Sequence, residues 1–299
     1  MNKTSILITL FTLVFAISGY SQIQSSVNPP RLRHGPEKGS LLIIGGGNIT
    51  PEIWKKFTEL AGGIEKARIV VITAAIGDSA ATDTKSVERV KTNTGIKNVI
   101  MMHPKNVAEA NSDEFIRLLK TATGIFFVGG RQWRIADAYL NTLTQKAFET
   151  VLERGGVIAG TSAGATIQGS FLWRGDTKGS QILVGDHTVG FGYLRNSVID
   201  QHLLTRNRMF DLVNFVKDHP GLIGIGLDEA TAVLIQKDIL SVIGKSYVAI
   251  YDYNTIIGKN IQPIVVNDNE EDSTNSSGPF FFLHDGQKYD LGKRSVIKK

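Results

Sequence analysis

The chain has 299 residues, 42% hydrophobic and 20% charged, with 31 glycines and 8 prolines. That is the composition of a folded globular protein and excludes disorder and collagen-like repeats. Lys+Arg 33 against Asp+Glu 28 gives +5, too mild and too evenly spread to point to nucleic acid, and Cys 0 excludes thiol nucleophiles, disulfides and cysteine-held metals.

Residues 1–21 read as a signal peptide. Lys3 supplies the positive start, 6–17 is an apolar run, and Gly19 and Ser21 are small residues ahead of a cut before Gln22. The run is short for a span of roughly 20 residues. The expectation is therefore an exported protein, periplasmic or extracellular, that leaves the membrane after cleavage. Residues 22–39 form a polar strap with Pro29, Pro30 and Pro36.

An α/β catalytic domain is expected over 40–266. Strands are read at 41–44, 68–73, 99–102, 124–128 and 156–159, alternating with helices at 51–61, 86–94, 108–121 and 135–154. Thr50 and Pro51 mark the first helix start. The alternation predicts right-handed crossovers and a mostly parallel sheet with helices on both faces. Beyond Ser197 the pattern changes. A helix is read at 204–217. Closely spaced runs at 223–227, 232–236, 240–243 and 247–253 predict antiparallel strands. Residues 267–299 read as a polar loop and C-terminal extension, with a strand at 280–283 and a loose tail.

The strongest chemical signal is Gly160-Thr161-Ser162-Ala163-Gly164, between an apolar strand and a helix start. That context lifts a serine hydroxyl above the end of a sheet. The Ala163 N–H would face an oxyanion there. A nucleophilic serine needs a base. Of the six histidines, His202 lies where an apolar strand runs out into polar residues, the end of a parallel sheet at which chemistry gathers. The acid that orients it is either Glu229, just beyond the strand at 223–227, or Asp176 in a turn after the serine. Asp228 should point away from Glu229. Gly45-Gly46-Gly47 lacks the residues of a phosphate cradle, and no cluster has metal-ligand spacing. No cofactor is expected.

Together, residues 160–165, Asp200-Gln201-His202 with Arg206 and Arg208, Gly129-Gly130 with Gln132, and residues 224–232 resemble cyanophycinase, of the peptidase E-like group of serine peptidases. The resemblance spans roughly residues 41–253. It implies a class I glutamine amidotransferase-like fold, a flavodoxin-like three-layer sandwich. It implies Ser162 as nucleophile, His202 as base and Glu229 as the favoured acid, with Asp176 as runner-up. It also implies Gly130 as a second oxyanion donor and a substrate pocket of Gln132, Asp200, Gln201, Arg206 and Arg208. The substrate implied is cyanophycin, a poly-aspartate backbone carrying arginine on β-linked amides, released as β-Asp-Arg dipeptides. The arginines could grip its carboxylates and Asp200 could meet a cation. One departure is Asp211, where the family pattern tends to carry a third arginine. The alternatives are a related exopeptidase acting on small Asp-containing peptides and an inactive binding homologue. Oligomeric state is left open, a homodimer included.

Overall fold

The computed structural model describes residues 33–78, 82, 84–259, 263–265, 273–275 and 278–298. The expected cleavage site and most of the strap and of the 267–279 loop lie outside these residues. The first half of the chain runs β1 (Ser40–Ile44), α1 (Pro51–Leu60), β2 (Ile69–Ile72), α2 (Lys85–Thr94), β3 (Val99–Met102), α3 (Val107–Ala110), α4 (Asp113–Ile116) and β4 (Gly124–Phe127). Then follow α5 (Gln132–Tyr139), α6 (Leu143–Glu153), β5 (Val157–Thr161), α7 (Ala163–Thr166), β6 (Gly169–Phe171) and β7 (Leu194–Gln201). Next are α8 (Asp211–Asp218), β8 (Ile223–Leu227), β9 (Thr231–Gln236), β10 (Ile239–Gly244), β11 (Val248–Tyr251) and α9 (Tyr253–Ile256). The chain ends in β12 (Pro263–Val265), β13 (Ser273–Asn275), β14 (Phe281–Leu283), β15 (Lys288–Asp290) and β16 (Ser295–Ile297).

The expected parallel sheet is present. Strands β1, β5, β4, β2 and β3 lie side by side and parallel. Antiparallel β9, β10, β15 and β16 extend it beyond β1. A second sheet, ordered β14-β11-β8-β7-β6, carries the parallel pairs β6–β7 and β7–β8 and the antiparallel strands β11 and β14. This is the flavodoxin-like three-layer α/β arrangement with antiparallel C-terminal strands. Its apolar strands are buried on both faces, as β1, β2, β4 and β5 show throughout. Helix α1 seals one side. The Thr50 hydroxyl caps it by accepting the Ile53 N–H, and Pro51 occupies its first turn. It buries Ile53, Trp54 and Phe57, and the Trp54 ring stacks on Phe126 of β4 at 5.1 Å. Each such side chain taken from water is worth about 1.5–3 kcal/mol.

Four local expectations are corrected. The helix read at 135–154 is two helices. Asn141 adopts φ 61°, the Thr142 hydroxyl accepts the Gln145 N–H, and Gln145 accepts the Asn141 N–H in return. That reciprocal cap starts α6 afresh. The helix read at 108–121 is broken by Ser112, whose hydroxyl donates to the Glu109 carbonyl and accepts the Phe115 N–H. Helix α8 begins at Asp211 and not at 204, because the Asp228 carboxylate accepts the N–H groups of Leu204 and Thr205 at 3.0 Å and holds them in a turn. The tail is not loose: β16 pairs with β15, Asp290 opposite Ser295.

Candidate active site

Ser162 occupies the one-residue turn between β5 and α7. Its φ of 54° and ψ of −112° lie where non-glycine residues rarely sit, at a cost of about 1–3 kcal/mol. The surroundings over-determine it. Its N–H donates to the Ile44 carbonyl at 3.0 Å, and its own carbonyl accepts from Ala165 and Thr166. The flanking glycines allow backbones to touch: a Cβ on Gly160 would stand 2.1 Å from the Gly164 carbonyl oxygen.

His202 follows β7 and Glu229 follows β8, two parallel neighbours that end side by side. His202 Nε2 lies 2.8 Å from Ser162 Oγ, and Nδ1 lies 2.5 Å from Glu229 Oε1. The carboxylate therefore accepts a hydrogen bond from Nδ1–H, which keeps the proton on that nitrogen and leaves the Nε2 lone pair facing the hydroxyl. Asp228 points the other way, as expected. It accepts from Leu204, Thr205 and the Ser246 hydroxyl; burial raises its pKa, but the bonds from Thr205 and Ser246 outweigh that and hold the carboxyl below the usual carboxylate range.

Burial lowers the His202 pKa, and the nearby Arg206 and Arg208 lower it further, against the raising effect of Glu229. The net effect favours the uncharged ring, the form able to accept a proton. The glycine turn after β1 makes room for this pair. The His202 N–H donates to the Gly45 carbonyl at 2.9 Å. A Cβ on Gly46 would stand 2.3 Å from His202 Cε1, and one on Gly47 would stand 2.4 Å from Glu229 Oε2. Sequence reasoning had found no role for this turn.

Asp176 is not beside the histidine. Its carboxylate accepts the N–H groups of Lys178 and Asp186 and shapes the loop between β6 and β7. The acid partner of His202 is Glu229. Ala163 opens α7 directly after the serine. Of the two glycines after β4, Gly129 faces Ser162, with an ideal Cβ 3.3 Å from the serine Cβ, whereas Gly130 packs against the Ala75 carbonyl.

The pocket implied by the resemblance is largely internally paired. Gln132 is buried, and its Nε2 donates to the carbonyls of Trp173 and Arg174. It braces the loop and is not among the residues lining the cleft at Ser162. Asp200 is fully buried against Arg174 and lies 3.5 Å from Arg208. Gln201 accepts from Arg208 through its side-chain oxygen at 2.5 Å and its carbonyl at 2.9 Å. Arg208 is buried with them, yet its Nη2 has no hydrogen-bond partner among the described residues. Arg206 is exposed. Asp211, the departure from the family pattern, pairs with Arg174.

Next to Ser162 opens a cleft of about 270 Å³, lined by Gly47, Ile76, Ser86, Arg89, Gly129 and Thr161 among others. Arg89, on α2, was not singled out from the sequence. Nothing in its helical context distinguishes it from a solvated cation. Among the described residues, no group of three or more His, Asp or Glu could hold a metal ion.

A histidine within hydrogen-bond distance of both a strained serine and a carboxylate, at the ends of parallel strands, is an arrangement suited to a serine hydrolase. The model of Peptidase family S51 matches residues 41–243, and the chain belongs to that family. Similar proteins include the cyanophycinase of Trichormus variabilis, 30% identical over 87% of this chain and 88% of that protein. The cyanophycinase of Synechococcus elongatus is 29% identical over 89% and 84%. A crystal structure of a peptidase from an acI-B1 Actinobacterium shares the fold at TM-score 0.60 and 22% identity, covering 86% of this chain and 98% of that one. A putative peptidase E from Listeria monocytogenes follows at TM-score 0.50 and 15% identity, covering 70% and 99%. The protein is a serine-type peptidase.

Proposed function

We propose that the chain is an exported cyanophycinase-type peptidase that hydrolyses cyanophycin to β-Asp-Arg dipeptides through Ser162, His202 and Glu229. The observation that carries this is the continuous chain of contacts from Ser162 Oγ to His202 Nε2, 2.8 Å, and from Nδ1 to Glu229, 2.5 Å. In the proposed reaction His202 takes the Ser162 proton as Oγ attacks an aspartate backbone carbonyl. The new tetrahedral oxyanion is held by the Ala163 N–H and by the Gly130 N–H that the resemblance implies, at the turn where Gly129 approaches the serine. His202 then returns the proton to the departing amine. Water, deprotonated by the same ring, frees the acyl-enzyme. Glu229 holds the ring's tautomer and steadies the imidazolium.

The substrate side of the reading is supported by charge. The exposed Arg206 is a donor suited to the free carboxylates of cyanophycin, which are those of its β-linked arginines. Export suits a polymer too large to import.

The test uses purified protein with cyanophycin and, separately, with short α-linked Asp peptides, products being identified by mass. Release of β-Asp-Arg supports the reading. Cleavage of the α-linked peptides alone moves the assignment to a peptidase E-like exopeptidase. A fluorophosphonate probe that leaves Ser162 unlabelled would point to an inactive binding protein.

A further inference from the structure

Asp200 lies two residues before His202, where the sequence leads one to expect a meeting point for a substrate cation. Its carboxylate is already in use. Arg174 Nε donates to Oδ1 and Arg174 Nη2 to Oδ2, both at 2.9 Å, in a paired fork. The indole Nε1 of Trp173 donates to Oδ2 at 3.1 Å, and the Gln201 N–H to Oδ1 at 2.9 Å. A carboxylate offers about four acceptor sites; these four donors take them, and Arg208 Nη1 approaches Oδ1 as well, at 3.5 Å. Arg174 is fixed as firmly. Its side chain is 1% exposed. Its Nη1 donates to the Ser180 carbonyl, and its Nη2 also meets Asp211. Arg174 and Arg208 balance Asp200 and the partly exposed Asp211, so the cluster is neutral by formal charge. A guanidinium arriving from outside would have to expel Arg174 and strand its charge beside Asp211 alone, and an unpaired buried charge is strongly disfavoured.

We propose that Arg174 is a built-in occupant of the cation site at Asp200, so that this peptidase does not select the arginine side chains of its substrate. The proposal rests on the peptidase reading above. On it, the aspartate backbone and the α-carboxylates of the β-linked groups are recognised, and their side-chain ends stay in water. Substrates whose β-carboxyls carry leucine in place of arginine should be cut nearly as well.

The experiment compares two synthetic aspartate oligomers, one bearing arginine and one leucine on every β-carboxyl. Protection of Ser162 from a fluorophosphonate probe is measured as well as turnover. For the wild-type protein the two should agree in kcat/KM, and in protection, within about threefold. A preference for the arginyl oligomer above about tenfold would overturn the proposal. Arg174→Ala should open the site, shift the ratio at least about tenfold toward the arginyl oligomer, and gain thermal stability from millimolar methylguanidinium, which the wild-type protein does not. A folded Arg174→Ala protein with an unchanged ratio and no response to methylguanidinium also refutes it. If that variant does not fold, the wild-type ratio decides alone. Probe labelling of Ser162 reports on the peptidase reading, whereas the arginine-to-leucine ratio reports on Arg174.

Discussion

Replacing Gly46 with alanine places a methyl group where the His202 ring now lies. The ideal Cβ is 2.3 Å from Cε1, 2.7 Å from Nδ1 and 2.8 Å from Nε2. Comfortable carbon–carbon contact begins near about 3.5 Å, so ring and turn must part by about 1 Å. The ring has little freedom to give. Nε2 is 2.8 Å from Ser162 and Nδ1 is 2.5 Å from Glu229, and a shift lengthens one or both contacts. A misplacement of that size costs on the order of 100-fold in rate. The overpacking itself costs about 1–3 kcal/mol of stability. Gly155→Ala is the control. Gly155 also has a positive φ, 89°, but a Cβ there meets nothing within 4 Å. The assay is the rate of Ser162 labelling by a fluorophosphonate, with thermal melting alongside. Gly46→Ala should melt as a folded protein and label about 100-fold more slowly, while Gly155→Ala labels at the wild-type rate. Labelling of Gly46→Ala at more than half the wild-type rate would refute the claim that this turn seats the histidine.

Ser162→Ala and His202→Ala should each remove nearly all turnover of an aspartate-rich substrate. The double variant should be little worse than either, since the two act as a unit; independent losses that multiply would contradict the shared role. Glu229→Gln should lower kcat by a smaller factor than Ser162→Ala, and Asp176→Asn should leave kcat near wild type, because Asp176 only ties its own loop. A larger loss from Asp176→Asn would transfer the acid role. Arg206 helps to keep the His202 pKa low, so Arg206→Ala should raise it. The acid limb of kcat/KM, which follows deprotonation of the base, should then move to higher pH. A limb that stays put or moves down would show that Arg206 does not act on the ring.

The serine was legible because its turn is local. Two glycines and a small residue flank Ser162 between an apolar run and a helix start, and all the geometry lies within one stretch of chain. His202 and Glu229 were legible as the residues just past apolar strands, since a strand end in a parallel sheet is a predictable address. Other features depend on partners distant in sequence. Nothing near Gly46 announces a histidine 156 positions later. Arg174 looks like any loop cation until Asp200 and Asp211 are brought to it, and the same pairing explains why a charge reversal at 211 is tolerated. The polar pocket residues were read by type, but their commitments to one another were not visible. Gln132 and Gln201 spend their side chains on internal bonds. The break at Thr142 was the opposite case: Thr142 and Gln145 form a capping signature within four residues, yet the apolar period on either side masked it. Strand β16 was missed because an edge strand of three residues is defined by its neighbour and not by its own composition.

The site joins two sheets. Ser162 leaves the end of β5 in the larger one, while His202 and Glu229 leave β7 and β8 in the smaller. The hydrogen bond from Ser162 to His202 is therefore a contact between two structural layers, and neither layer holds a working fragment of the site. Activity becomes a gauge of how the layers are docked. It also means that a nascent chain carries no exposed, reactive serine: proteolytic competence arises only when both sheets have formed and closed on each other.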